Sequence, residues 1–389
     1  MFNELKTILK KNIREYGMYI ALAFIMLIFT ILTDGLFLSA RNISNLFNQM
    51  GYIAVLAVGM TLVIVIRHID LSVGFGSGFI GAIAAILMMR FNFPIIPTIL
   101  IVFIIGIAIG LMNGFFISYI GIPAFVATLA GMMIFRGALL VSTEGTGTII
   151  ILNDKFNGIG NGYIPDIFKN ENIHITTLLI GFVIILLYIF SEIRSRKNKM
   201  KYQFDVLSVK IFTLKMLLIS VIIGYVFWTL ASYNGMSWTF LIVLIVAFIY
   251  HIIATKTPLG RHIYAVGGNP EAAKLSGISI NKITLFVFGS MGLLTALSGI
   301  LYTSRFQSAT PTAGTLFELD AIAAAYVGGV SASGGVGKVT NSIVGALVMA
   351  SLINGMNLIG VGISYQYIIR GAVLVAAVVF DIKTRNKAS

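Results

Sequence analysis

About a dozen apolar runs of roughly 17 to 22 residues punctuate this chain, each long enough to cross some 30 Å of hydrocarbon as a helix. No other feature restricts the fold so severely. Backbone amides in lipid must be satisfied inside helices or around a closed barrel. A barrel would show alternating strands of about ten residues, not continuous greasy blocks. Only 11% of residues are charged and 58% are hydrophobic, against about 25% charged in soluble domains. The chain therefore reads as an all-α, polytopic integral membrane protein with about 12 transmembrane helices. Spans are expected near 18–33, 50–66, 73–89, 95–112, 122–140, 174–190, 211–231, 238–253, 283–303, 316–330, 339–358 and 365–380. Residues 1–389 form a single membrane domain in this reading.

Charge sets the orientation. The net charge of +13 could suit nucleic acid, but in a membrane chain it marks inner loops. With both termini inside, the predicted cytoplasmic loops hold about 20 of the 27 Lys and Arg and the outer loops about five. The segment Ser191 to Lys215, with Arg194, Arg196, Lys197, Lys199 and Lys201, is expected as a solvated inner loop beside anionic lipid headgroups. Lys6, Lys10, Lys11 and Arg14 precede the first apolar run, which is read as an uncleaved span and not a secretory signal. The outer loop from Val141 to Ile173, rich in Gly and Asn, reads as a docking surface or as a plain connector.

The sequence lacks the usual apparatus of catalysis. There is no cysteine, so no disulfide, thiolate nucleophile or cysteine-bound zinc is available. The run SGGVGKV imitates a phosphate-binding loop but fails twice: Ala332 stands where the first Gly belongs, and Val339 where Ser or Thr is needed. ATP hydrolysis, if used, must come from another polypeptide. His68, His174, His251 and His262 are scattered near span ends and suggest no metal site.

One short stretch stands apart. Asn269 can cap a helix, Pro270 fits its first position, Glu271 its first turn, and Gly277 its stop. This helix falls in the expected cytoplasmic loop 254–282. Its small residues Ala272, Ala273 and Ser276, with the larger Leu275, suit insertion into a groove on a partner. From pattern alone, an amphipathic helix resting on the inner leaflet fits nearly as well.

Polar residues inside spans are the other candidates. Asn113, Thr128, Asn341, Ser342, Asn354 and Asn357 can line a path for a neutral, hydroxyl-rich solute or can pack one helix on another. Arg136, Glu318, Asp320 and Arg370 are ionisable at membrane depth, where isolated charge is costly. They are expected to form structural ion pairs, with Asp320 or Glu318 against Arg370 or Arg136. Arg67 and Asp70, at an inner edge, are expected to pair locally or to cap a helix.

Four segments carry a family resemblance: VGMTLVIVIRHIDLSVG, LGRHIYAVGGNPEAAKLSGI, ELDAIAAAYVGGVSASGGVGKV and NGMNLIGVGISYQYIIRGAVLVAAVVFD. Together they resemble the permease subunits of bacterial ATP-binding-cassette sugar importers of the ribose, xylose and galactose type. The resemblance implies that Asn269–Ser276 is a coupling helix docking on a separate ATPase subunit, where ATP and Mg2+ are held. It also implies two permease copies and an extracytoplasmic sugar-binding protein, in a bacterial inner or plasma membrane. Ribose-type permeases have about ten spans, and 191–251 looks like an inserted helix pair with its basic loop. That longer form is similar to xylose-type permeases and implies an aldose such as xylose. The alternative expectation is an ion-coupled transporter or channel working without an ATPase. A membrane enzyme is disfavoured, and neither a cofactor nor nucleic acid is expected on this chain.

Overall fold

The computed structural model describes residues 13–145, 147–168 and 173–385, so the expected orientation rests partly on Lys6, Lys10 and Lys11, which lie outside them. Helix α1 (Ile13–Leu32) leads through a 3-10 turn into α2 (Ala40–Val65). Next come α3 (Val73–Met89), α4 (Ile95–Phe115), which closes in a π turn at Phe116–Ile120, and α5 (Ala124–Thr143). A short strand β1 (Ile149–Ile150) and helix α6 (Asp154–Asn161) precede α7 (Ile175–Lys201), α8 (Val209–Ala231) and α9 (Trp238–Lys256). Two short helices follow, α10 (Pro258–Gly268) and α11 (Pro270–Leu275). The chain ends with α12 (Ile280–Phe306), β2 (Ser308–Ala309), α13 (Phe317–Val327), α14 (Val339–Leu358) and α15 (Ile363–Arg385).

Each expected span falls on a helix, but the helices differ in reach. Among the described residues, nine are long and apolar enough to cross a membrane: α2, α4, α5, α7, α8, α9, α12, α14 and α15. The apolar stretches Gly17–Leu32 in α1 and Val73–Met89 in α3 are shorter. Helix α13 has only 11 residues, about 16 Å at 1.5 Å each, and cannot cross alone. Its ends explain why. Gly314 and Leu316 take left-handed backbone just before it, and Gly329 does so just after.

Helix α2 forms the axis of the bundle, with 89% of its most apolar 18-residue stretch buried, against 6% for α15. Helix α12 packs along α2, α3 and α4. The α4 contact is backbone on backbone: a Cβ at Gly110 would stand 2.1 Å from the Phe288 carbonyl oxygen, and one at Gly292 2.0 Å from that of Gly106. On its outer face α4 exposes Ile96, Leu100 and Ile104, one per turn, a stripe suited to lipid tails.

Two expected loops are more structured than their composition suggested. The basic segment is mostly helix, because α7 runs on to Lys201 and α8 begins at Val209. Arg196 closes the turn by donating to the Leu207 carbonyl at 2.6 Å, and Lys215 pairs with Glu192 at 3.0 Å. At the other end of the bundle, the loop after α5 folds down as a cap. Strand β1 pairs antiparallel with β2, and Asn161 donates to the carbonyls of Ser304 and Arg305 at 2.9 and 3.0 Å. Asp166 starts α7, accepting from Thr176 Oγ1 at 2.7 Å and from the Ile175 and Thr176 amides. Desolvation opposes ionisation there, but these hydrogen bonds and that of Phe168 hold the carboxyl well below the usual range.

Candidate functional site

The Asn269 segment forms the helix its residues imply. Asn269 Oδ1 accepts from the Ala272 amide at 3.0 Å, and Pro270 occupies the first turn, where no amide is needed. Gly277, at φ +82°, closes it: its amide donates to the Lys274 carbonyl and the Ile278 amide to that of Ala273, both at 3.0 Å. Only Ala273 is buried against the protein. Leu275 is 90% exposed, and Glu271, Ala272 and Ser276 are exposed around it. The helix thus presents a bare apolar knob on a rigid, doubly capped mount.

What anchors that mount was not apparent from sequence. Arg67, held at φ +66°, donates from Nε to the Gly267 carbonyl at 2.7 Å and from Nη2 to that of Gly268 at 2.5 Å. These carbonyls close α10, the negative end of its dipole. The Gly335 amide donates to the Val65 carbonyl at 2.8 Å, and the Tyr264 hydroxyl to that of Gly337 at 2.6 Å. Asp381 of α15 accepts from the Ala332 amide at 3.3 Å. A Cβ at Gly267 would stand 1.8 Å from the Val65 oxygen, so glycine is required for this approach. The run SGGVGKV is therefore a junction joining the ends of α2, α10 and α15. Its signal was the clustering of glycines, two of which (Gly334 and Gly335) take left-handed backbone.

The intramembrane polar candidates separate into two groups. Asn113 Nδ2 donates to Ser72 Oγ at 2.9 Å, which donates to Asp70 Oδ1 at 2.6 Å. Thr128 Oγ1 reaches the Ile69 carbonyl at 3.2 Å. Both brace the turn between α2 and α3, and Asp70 does not reach Arg67. Asn354 exchanges two hydrogen bonds with Asn42, at 2.9 and 3.1 Å, clamping α14 to α2. Ser342 meets Thr61 at 2.5 Å across the same pair of helices. Asn341 is half-buried in the first turn of α14, its backbone pressed on Gly328. Asn113, Thr128, Ser342 and Asn354 thus bridge elements through their side chains, and Asn341 only through its backbone.

Asn357 differs. It lines a half-open cavity of about 450 Å³ bordered by α2, α12, α13, α14 and α15, with Tyr52, Tyr302, Gln366, Tyr367 and Arg370 among its walls. Gln366 Nε2 donates to Asn357 Oδ1 at 2.8 Å. In the wall, Arg370 Nη1 donates to Asp320 Oδ2 at 3.3 Å. The other two ionisable candidates do not pair. Glu318 Oε2 is buried without a hydrogen-bond partner, facing the backbone of Gly74. Arg136 lies over the Phe75 ring, 5.5 Å from its centroid, and reaches no carboxylate among the described residues. Nor does any group of three His, Asp or Glu among them suit a metal ion.

The bundle thus carries a half-open cavity, part polar and part apolar, toward one end and a short projecting helix at the other. Residues 155–378 match the family described as branched-chain amino acid transport system / permease component, and the chain belongs to that family. The xylose transport system permease of Haemophilus influenzae is 38% identical over 97% of this chain and 98% of its own length. A ribose import permease from Bacillus subtilis is 33% identical over 95% and 93%. The galactose/methyl galactoside import permease of Escherichia coli is 31% identical over 95% and 94%. No solved structure matches the chain.

Proposed function

We propose that this chain is the translocation subunit of an ATP-binding-cassette importer for a monosaccharide, xylose or a related aldose. Separate ATPase subunits, carrying ATP and Mg2+, drive it from the cytoplasm, and an extracytoplasmic sugar-binding protein feeds it. Two copies form the core, each crossing a bacterial inner or plasma membrane about 12 times with both termini inside. The relatives named for xylose, ribose and galactose support the substrate class.

The observation that carries this reading is α11. Leu275 is 90% exposed on a short helix capped at both ends, in the loop expected to face the cytoplasm. It makes sense as a knob for a partner's groove. Nucleotide-driven closure of the ATPases would push Asn269–Ser276, and the junction at Arg67 would pass that motion to α2 and α15. Uptake of labelled xylose into proteoliposomes tests this directly. Uptake is expected only with the ATPase, the binding protein and ATP all present, and Glu271→Lys with Leu275→Asp is expected to abolish it while the chain still inserts.

One observation favours a second reading. The buried Glu318 carboxyl, whose Oε2 has no hydrogen-bond partner, is the kind of group that ion-coupled transporters use. Uptake by this chain alone, driven by a proton or sodium gradient and lost in Glu318→Gln, would select that alternative.

A further inference from the structure

We infer that the cavity between α2, α12, α13, α14 and α15 is a binding site for the transported solute within the permease itself, built for a neutral, polyhydroxylated ring. The inference rests on the monosaccharide reading above and adds to it: the permease selects its cargo and is not a featureless pore.

Size is the first argument. About 450 Å³ falls within the roughly 300–1,000 Å³ typical of small-molecule sites. A second pocket of about 320 Å³ adjoins it, sharing Thr315, Asp320, Tyr367 and Arg370. The walls supply the second. One side is aromatic: Tyr52, Tyr302 and Phe317 form a closed trio with ring centroids 5.3, 4.9 and 5.0 Å apart. Aromatic faces suit the C–H surface of a pyranose or furanose ring. The facing side carries the planar amides of Asn357 and Gln366 and the phenol of Tyr367. Amides and phenols donate and accept at once, as hydroxyl groups require.

Charge supplies the third argument, and it discriminates. The cavity holds one carboxylate and one guanidinium, already paired at 3.3 Å, so its walls carry no net charge. An amino acid, the cargo in the family's description, brings both charges and would have to compete with that pair for each. A neutral polyol need not. Unused hydrogen-bonding capacity also faces a ligand here: Asn357 is exposed, and its Nδ2 has no hydrogen-bond partner among the described residues. A hydroxyl-rich guest can accept from it, whereas an apolar guest would leave that donor stranded.

Position completes the case. Gln49 and Tyr52 lie in the first half of α2, Gln366 and Arg370 in the first third of α15, and Tyr302 and Phe306 in the last turns of α12. The cavity therefore lies toward the end of the bundle away from α11. A solute arriving opposite the coupling helix meets this site before the braced turn at Asp70.

The test is equilibrium binding of labelled D-xylose, D-ribose and D-galactose to the purified full chain in lipid nanodiscs, with leucine as competitor. Asn357→Leu and Tyr367→Ala are the variants, since both side chains are exposed and the Asn42–Asn354 clamp is untouched by either, although Asn357→Leu gives up the hydrogen bond from Gln366. Thermal melting checks their fold. We expect saturable binding of at least one sugar, weakened at least tenfold in each variant, with no displacement by leucine. The inference is overturned if no sugar binds while the assembled importer still takes one up, if both folded variants bind as tightly as the parent, or if leucine displaces the sugar. An importer that takes up none of the three sugars would instead defeat the proposed function, and saturable sugar binding by the chain would survive that result.

Discussion

Truncating Arg370 to alanine would leave the Asp320 carboxylate buried beside an apolar wall, its side chain only 8% exposed. Breaking one member of a buried pair costs about 3–5 kcal/mol, since the remaining charge has lost its compensation. Arg370→Ala is therefore expected to lower the melting temperature sharply, and Asp320→Arg with Arg370→Asp to recover part of the loss. A double variant no more stable than either single reversal would show that the pair does not hold α13 to α15. The sequence offered this pair as one of four combinations of Asp320 or Glu318 with Arg370 or Arg136, all costly at membrane depth. The asparagines were not so easily sorted. Asn354 and Asn357 lie one turn apart on α14, yet one clamps Asn42 and the other lines the cavity. Such a difference depends on which face meets α2, and one chain's polar residues carry no label for that. Arg67 illustrates the same limit, because its carbonyl partners lie 200 and 201 residues away.

Elements were legible wherever length and apolarity decided them, and less so where turns did. The run 316–330 was expected to span, but left-handed residues on both sides shorten α13 to 11 residues. Hydropathy is blind to such backbone torsion. In the basic segment, long Lys and Arg side chains tolerate a helix well, so charge hid the continuation of α7 to Lys201. Helix contacts at membrane depth were readable only as a surplus of glycine. Gly106 and Gly110 let α4 touch α12 directly. Gly110→Val is expected to force these backbones apart, destabilising the chain by about 1–3 kcal/mol through overpacking. Thermal unfolding in detergent would register this, and a melting temperature unchanged from the parent would refute the contact.

At the scale of the molecule, four cavity helices can be traced to the junction beside α11. Helix α2 reaches it at Val65, α13 and α14 through the glycine-rich loop that links them, and α15 at Asp381. Arg67, bonded to the carbonyls of Gly267 and Gly268, ties the segment just before Asn269 to the end of α2, whose other half borders the cavity. Arg67→Ala is expected to leave the ATPase bound and hydrolysing ATP while sugar uptake falls at least tenfold. Uptake and hydrolysis that decline in parallel would place Arg67 in docking and not in transmission. The central claim, that an external engine grips this permease at α11, has a direct probe because the chain contains no cysteine. A single Leu275→Cys in membrane vesicles, labelled with a thiol-directed photo-cross-linker and irradiated, should cross-link to a nucleotide-hydrolysing subunit, and it should resist impermeant maleimide in intact cells. Rapid labelling of that cysteine from outside intact cells would contradict the account.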